Sequence, residues 1–176
     1  MQKPSSTQIG AIAVNQVANV LMISSGGRLS AFWPVADDDG IDLLIFDKET
    51  GRALPVQVKS RTVALKKRGA SERGNVVHFE VRKATYHLDR FACAILVLLS
   101  ADASTIERAW VVPMRDLPKY ASSRPTKYVL RASKALDTAD RCSAFQCKDW
   151  QAIGSSVLKF LVQNPEPITA VPVKDL

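Results

Sequence analysis

Apolar residues recur at helical spacing near the start of the chain, at Ile9, Ile12, Ala13, Val17, Val20 and Leu21, and predict a helix over residues 7–23. Thr7 can cap its start, and Ser24-Ser25-Gly26-Gly27 ends it. The pattern then shortens to strands. Arg28 to Val35 is one, closed by Pro34 and the acidic turn Asp37-Asp38-Asp39-Gly40. Near-continuous apolar runs over 41–46 and 54–60 predict two more, in a sheet covered on both faces. Asp47-Lys48-Glu49-Thr50-Gly51-Arg52 between them has the make-up of a hairpin connection. Val76 to Val81 is a further strand, and Lys83 to Arg90 a short helix. Phe91 to Leu99 is the most apolar run and predicts a central strand, followed by Arg108 to Pro113. Residues 114–146 are weakly patterned, with a short helix near Leu117 and a strand from Tyr128 to Arg131. A last helix runs from Lys148 or Asp149 to Gln163, with Trp150, Ile153, Val157, Leu158 and Leu161 on one face. The expectation is an α/β protein of one domain over residues 1–163, with a Pro-containing tail over 164–176 that frays.

Three polar residues break the apolar runs. Asp42 lies in the first, and Gln57 and Lys59 lie in the second. Burying such groups without partners is costly, so their presence asks for a reason. A turn centred between Glu49 and Thr50 places Asp42 opposite Gln57, where Cβ atoms of paired strands are about 4.5–5.5 Å apart. Lys59 is two residues further along and shares the face of Gln57. A carboxylate, an amide and an ammonium would then converge, whereas a register slip of one residue would scatter them. A purely structural reading is a buried ion pair beside a hydrogen-bonded amide. Such pairs stabilise poorly, which favours a functional reading.

The order helix, three strands, helix, strand, with Asp38-Asp39-Gly40-Ile41-Asp42 and Val56-Gln57-Val58-Lys59-Ser60 in place, resembles the PD-(D/E)XK nuclease superfamily. Gln57-Val58-Lys59 matches its (D/E)-x-K in the Gln-x-Lys form of some branches, including certain homing endonucleases and methylation-dependent restriction enzymes, and the whole run looks like that of uncharacterised bacterial domains of the superfamily. The resemblance implies a restriction-endonuclease-like fold, a mixed β-sheet flanked by helices in the order αβββαβ, plus a further strand and a C-terminal helix. It also implies a metal-dependent endonuclease that hydrolyses DNA phosphodiester bonds. Asp42, Gln57 and the Val58 carbonyl would hold Mg²⁺ or Mn²⁺, hard cations that take oxygen ligands. The metal would polarise the phosphate and acidify bound water. Lys59 would steady the developing charge or orient that water. Members often carry an acid on the first helix, but residues 1–36 hold no Asp or Glu, and Asn15, Gln16 and Asn19 are the nearest polar substitutes. Two other readings therefore stand beside the enzyme: an inactive nucleic-acid-binding module of the same fold, and a protein–protein interaction domain.

Charge adds to the picture. The 176 residues carry a formal net charge of +7, with a pI near 9.5, a balance that favours nucleic acid as partner. Around the motif, Lys59, Arg61, Lys66, Lys67, Arg68, Arg73, Arg82 and Lys83 face only Glu72 and Glu80. Arg61, Lys66, Lys67, Arg68 and Arg73 lie in a Gly-containing loop over 61–74, suited either to solvent or to phosphate contact. Cutting both strands of DNA would call for two sites, which a homodimer would supply.

Other chemistries lack their motifs. Gly26-Gly27 is not followed by Lys-Ser/Thr, and no G-x-G-x-x-G occurs. Cys93, Cys142 and Cys147 have no zinc-finger spacing and read as reduced thiols of a cytoplasmic protein. His78 and His87 read as structural or surface residues. Ser60 beside Lys59 points to the opposite face, against a Ser/Lys nucleophile. Met1-Gln2-Lys3-Pro4 leads into no signal-peptide core, and no apolar run reaches the length of a membrane span, so no membrane partner is expected.

Overall fold

The computed structural model of the protein describes residues 4–36, 39–64 and 74–163. Lys66, Lys67, Arg68, Arg73, Asp37, Asp38 and the tail over 164–176 lie outside the described residues.

The first helix, α1, spans Ser6–Ser24. Its cap is Ser5 rather than Thr7. Ser5 Oγ accepts the Gln8 N–H at 3.2 Å, and Gln8 Oε1 accepts the Ser5 N–H at 2.8 Å, a reciprocal pair that satisfies two otherwise orphaned donors. Strands β1 (Leu29–Phe32), β2 (Leu43–Asp47) and β3 (Arg52–Arg61) follow as an antiparallel meander. Asp47 ends β2 and is fully buried, with 0% of its side chain exposed. The Arg28 guanidinium donates to both of its oxygens at 2.7 Å, and the Thr50 hydroxyl and the Glu49 N–H add two more donors. Those bonds, Arg28 foremost, hold the Asp47 carboxyl far below the usual carboxylate range despite its burial.

Strand β4 (Val76–Arg82) leaves this sheet, and β5 (Cys93–Leu99) returns to pair with β3 in parallel. Every residue of β5 is buried, so the most apolar run is indeed central. β6 (Ile106–Pro113), the four-residue α2 (Leu117–Tyr120), β7 (Ser122–Ser123), β8 (Lys127–Ser133), β9 (Gln146–Cys147) and α3 (Gln151–Gln163) complete the described chain. The main sheet has six strands in the order β1-β2-β3-β5-β6-β9. A second sheet, β4-β8-β7, was not legible as such in the sequence.

The two faces of the main sheet alternate by residue. Val56, Val58, Cys93, Ile95 and Val97 pack against α1 and α3 through Ala13, Val17, Leu21, Ile153, Val157 and Leu161. Ala94, Leu96, Leu98 and Trp110 pack against the second sheet through Phe79, Val81 and Leu130, with Phe79 edge-on to Trp110 at 5.6 Å. The segment from Lys83 is not the expected helix. It makes one 3₁₀ turn, Lys83–Thr85, before Tyr86 resumes extended backbone. Tyr86 is anchored there by its hydroxyl on Met114 O at 3.0 Å and its ring against Tyr128. Trp150 precedes α3 and is 43% exposed, so it does not join that helix's buried face. The three cysteines are free and buried. Among the described residues no helix is long and apolar enough to cross a membrane.

Candidate active site

β2 and β3 pair in the register Leu43↔Val56 to Asp47↔Arg52, which centres the turn between Glu49 and Thr50 and sets Asp42 level with Gln57. Asp42 stands just before β2, where the ladder ends. Its N–H donates to Val56 O at 2.9 Å, and its Oδ2 accepts the Val58 N–H at 2.6 Å. The carboxylate thus lies along the edge of β3, held by a charge-assisted bond to the backbone between Gln57 and Lys59.

The expected single patch is two hollows that meet at Lys59. Gln57, Lys59, Arg61, Glu80 and Arg82 line a cleft of about 690 Å³ between the sheets. Asp42, Val58, Lys59 and Ser60 line a smaller hollow of about 380 Å³ that lies against α1. Because β3 alternates, Gln57 faces the second sheet and Val58 the helices, while the edge-lying Asp42 opens on the helix side. Among the described residues Lys59 takes part in no hydrogen bond or ion pair, so its ammonium is uncommitted between them.

Gln57 is 4% exposed, and its Oε1 has no hydrogen-bond partner. An orphaned buried carbonyl is costly unless something else supplies a positive charge or a donor. Gly40 shapes the approach to it. At φ +67° it takes a left-handed conformation, and a Cβ there would lie 2.7 Å from Gln57 Nε2 and 2.8 Å from Thr85 Cβ. The sequence places Asp39 in an acidic turn. In the fold its carboxylate pairs with the Arg90 guanidinium, which also donates to Asp39 O at 3.2 Å, and it lies 3.2 Å from His87 Nε2. These contacts tie the Gly40 turn to a segment some fifty residues away, which no local pattern reveals.

The donor set suits a hard cation only in part. Asp42 supplies a carboxylate and Val58 a carbonyl, as Mg²⁺ or Mn²⁺ would accept, but the orphaned Gln57 oxygen opens on the other face and does not join the expected three-ligand set. Among the described residues no group of three or more His, Cys, Asp or Glu could hold a metal. The stretch of α1 on the smaller hollow presents Ser6, Ile9, Gly10 and Val14. Asn15, Gln16 and Asn19 are not among the lining residues: Asn15 bonds Ala11 O within the helix at 2.9 Å, Gln16 reaches Ala103 O at 2.9 Å, and Asn19 faces solvent.

Arg61, the described member of the expected basic loop, lines the cleft and donates to His78 O at 2.9 Å. Lys127, which sequence reading did not single out, pairs with Glu80 at 2.7 Å. That bond, followed by the charges of Lys127 and Arg61, holds the Glu80 carboxyl below its ordinary range.

The architecture is a nuclease-like α/β fold. Over 90% of this chain and 96% of the other, the protein is similar in structure to the bacterial homing endonuclease I-Ssp6803I, with a TM-score of 0.56 and 20% sequence identity. At that identity the likeness is one of fold. No family model matches the chain, and no curated protein does.

Proposed function

We propose that the protein is a metal-dependent endonuclease of the PD-(D/E)XK type, acting on DNA phosphodiester bonds. The observation that carries this reading is the orphaned, buried Gln57 Oε1 beside an uncommitted Lys59, with the Asp42 carboxylate bonded to the backbone between them. An ion pair kept for stability would leave no acceptor unpaired. Asp42 and the Val58 carbonyl, on the helix side, would hold Mg²⁺ or Mn²⁺, which when bound supplies a polarised phosphate and an acidified water, and Gln57 Oε1, in the larger cleft, would accept from the attacking water rather than share the ion. Lys59 places a positive charge where the pentacovalent phosphate gains negative charge, or donates to the attacking water. Arg61, with Lys66, Lys67, Arg68 and Arg73, would neutralise neighbouring phosphates. A homodimer would bring one such site to each strand.

The test is nicking of supercoiled plasmid with Mg²⁺ or Mn²⁺. Wild type nicks, and Lys59→Ala abolishes nicking while its circular dichroism and melting match wild type. Retained nicking in Lys59→Ala, or none in wild type with either metal, overturns the reading. One observation favours a second reading, a DNA-binding module without cleavage: the α1 residues on the Asp42 hollow carry no carboxylate. Salt-sensitive DNA binding without nicking is its signature.

A further inference from the structure

We infer that β4 and β8 form a two-stranded ribbon that enters the major groove of duplex DNA, with Arg82 and Arg131 as its principal contacts. The inference deepens the proposed function and rests on it for the substrate class. The two strands pair over seven rungs, from Val76↔Ser133 to Arg82↔Lys127. Opposed residues share a face, so the rungs alternate. Val77↔Ala132, Phe79↔Leu130 and Val81↔Tyr128 turn to the core. His78↔Arg131, Glu80↔Val129 and Arg82↔Lys127 turn outward. Arg82, Glu80 and Arg131 are exposed, and the others are half-buried.

The outward face therefore carries two cationic rungs with Glu80↔Val129 between them, and beyond His78↔Arg131 it ends on Val76↔Ser133, where Ser133 is buried. Among the described residues of these rungs the one acid, Glu80, is already engaged by Lys127, which leaves both arginines in excess. β7 is two residues long and pairs only with Tyr128 and Val129, so most of the ribbon is two strands wide. A ribbon of that width fits the major groove, which is about 12 Å across. Seven rungs at about 3.4 Å per residue extend roughly 20 Å, the length of about six base pairs.

A charged outer face alone would be only a solvated surface. The second observation is where it leads. Arg82, Glu80 and Lys127 continue directly into the cleft that holds Lys59 and the orphaned Gln57 oxygen. A duplex lying on the ribbon would bring its backbone past that cleft. His78 adds a neutral imidazole beside Arg131, since burial, then the charges of Arg131 and Arg61, push its pKa down. Its neutral ring can accept from a base edge as well as donate to one, whereas a cation can only donate. The A-form major groove is too deep and narrow for such a ribbon, so double-stranded RNA is excluded as the preferred ligand.

The test measures binding to a labelled 24-base-pair duplex in EDTA, beside plasmid nicking in Mg²⁺. Arg82→Ala and Arg131→Ala should each weaken binding roughly 5- to 50-fold, and each should lower the salt slope by about one. Lys159→Ala, on the exposed side of α3, should bind as wild type does. Arg131→Lys should keep the salt slope but lose discrimination among duplex sequences, because an ammonium cannot make the bidentate contact of a guanidinium. Duplex carrying bulky glucosyl groups in the major groove should not bind, while a minor-groove ligand should not compete. Unchanged binding by both arginine variants, competition by the minor-groove ligand, or equal affinity for double-stranded RNA overturns the inference. If nicking depends on Lys59 while the arginine variants bind normally, the ribbon inference falls and the nuclease reading stands. If duplex binding depends on the ribbon but nothing is nicked, the reverse holds.

Discussion

The Asp42 carboxylate accepts the backbone N–H of Val58 at 2.6 Å, so the acid that ends one strand is fastened to the residue between Gln57 and Lys59 on the next. The bond takes the place of a ladder bond at the point where β2 departs. It orients an acid without burying it fully, since the hollow beside it stays open under α1.

Replacing that acid separates its two roles. In Asp42→Asn the amide oxygen can still accept the Val58 N–H, so the unfolding free energy without metal should fall by no more than about 1 kcal/mol. Ligand-linked stabilisation grows with ligand concentration over Kd, so wild type should melt higher as Mg²⁺ or Mn²⁺ is added. Asp42→Asn should show no such rise. An equal rise in both would mean that Asp42 does not bind the ion.

Gln57→Leu should trade function for stability. It removes a buried oxygen that has no partner, a group that costs about 1–3 kcal/mol when left unsatisfied. Urea unfolding in EDTA should show equal or greater stability than wild type, and plasmid nicking should be lost. A marked loss of stability would show that the amide is structural.

Gly40→Ala should destabilise by at least about 2 kcal/mol, from left-handed backbone strain and a methyl forced against Gln57 Nε2 and Thr85. The damage should be local to the cleft. Hydrogen exchange should speed up around residues 40–42 and 83–85 before it does in β5.

Acid sensitivity should trace to Asp47. Its carboxyl is depressed in the fold, by Arg28 first, below an unfolded value of about 3.9. The unfolded chain therefore binds the proton more readily. The stabilisation is complete above that value and is lost as pH falls through it toward the folded one. Urea midpoints measured from pH 7 to pH 2 should show wild type losing stability at the acid end. Asp47→Asn should be about 2 kcal/mol less stable at neutral pH and flatter below pH 5. Parallel curves for the two proteins would exclude this assignment.

Local pattern made much of this protein readable. The period of α1, the alternation and hairpin between β2 and β3, and the unbroken apolar run of β5 each depend on residues close together in sequence. Hydrophobic burial imposes those periods directly. Asp42, Gln57 and Lys59 were legible for the same reason: a polar residue inside an apolar run is conspicuous, and a four-residue turn between Asp47 and Arg52 sets the register. The tertiary structure decided what distant pairs control. It moved Val76–Arg82 out of the main sheet to pair with Lys127–Ser133, and it converted the segment after Lys83 from a helix to a single turn by anchoring Tyr86 on Met114 and Tyr128. It buried Asp47 under Arg28, tied Asp39 to Arg90, and divided one expected patch into two hollows around Lys59. Nothing in the chain's periodicity encodes these contacts, because each depends on which remote partner offers an opposite charge, a ring or a free strand edge once the core has closed.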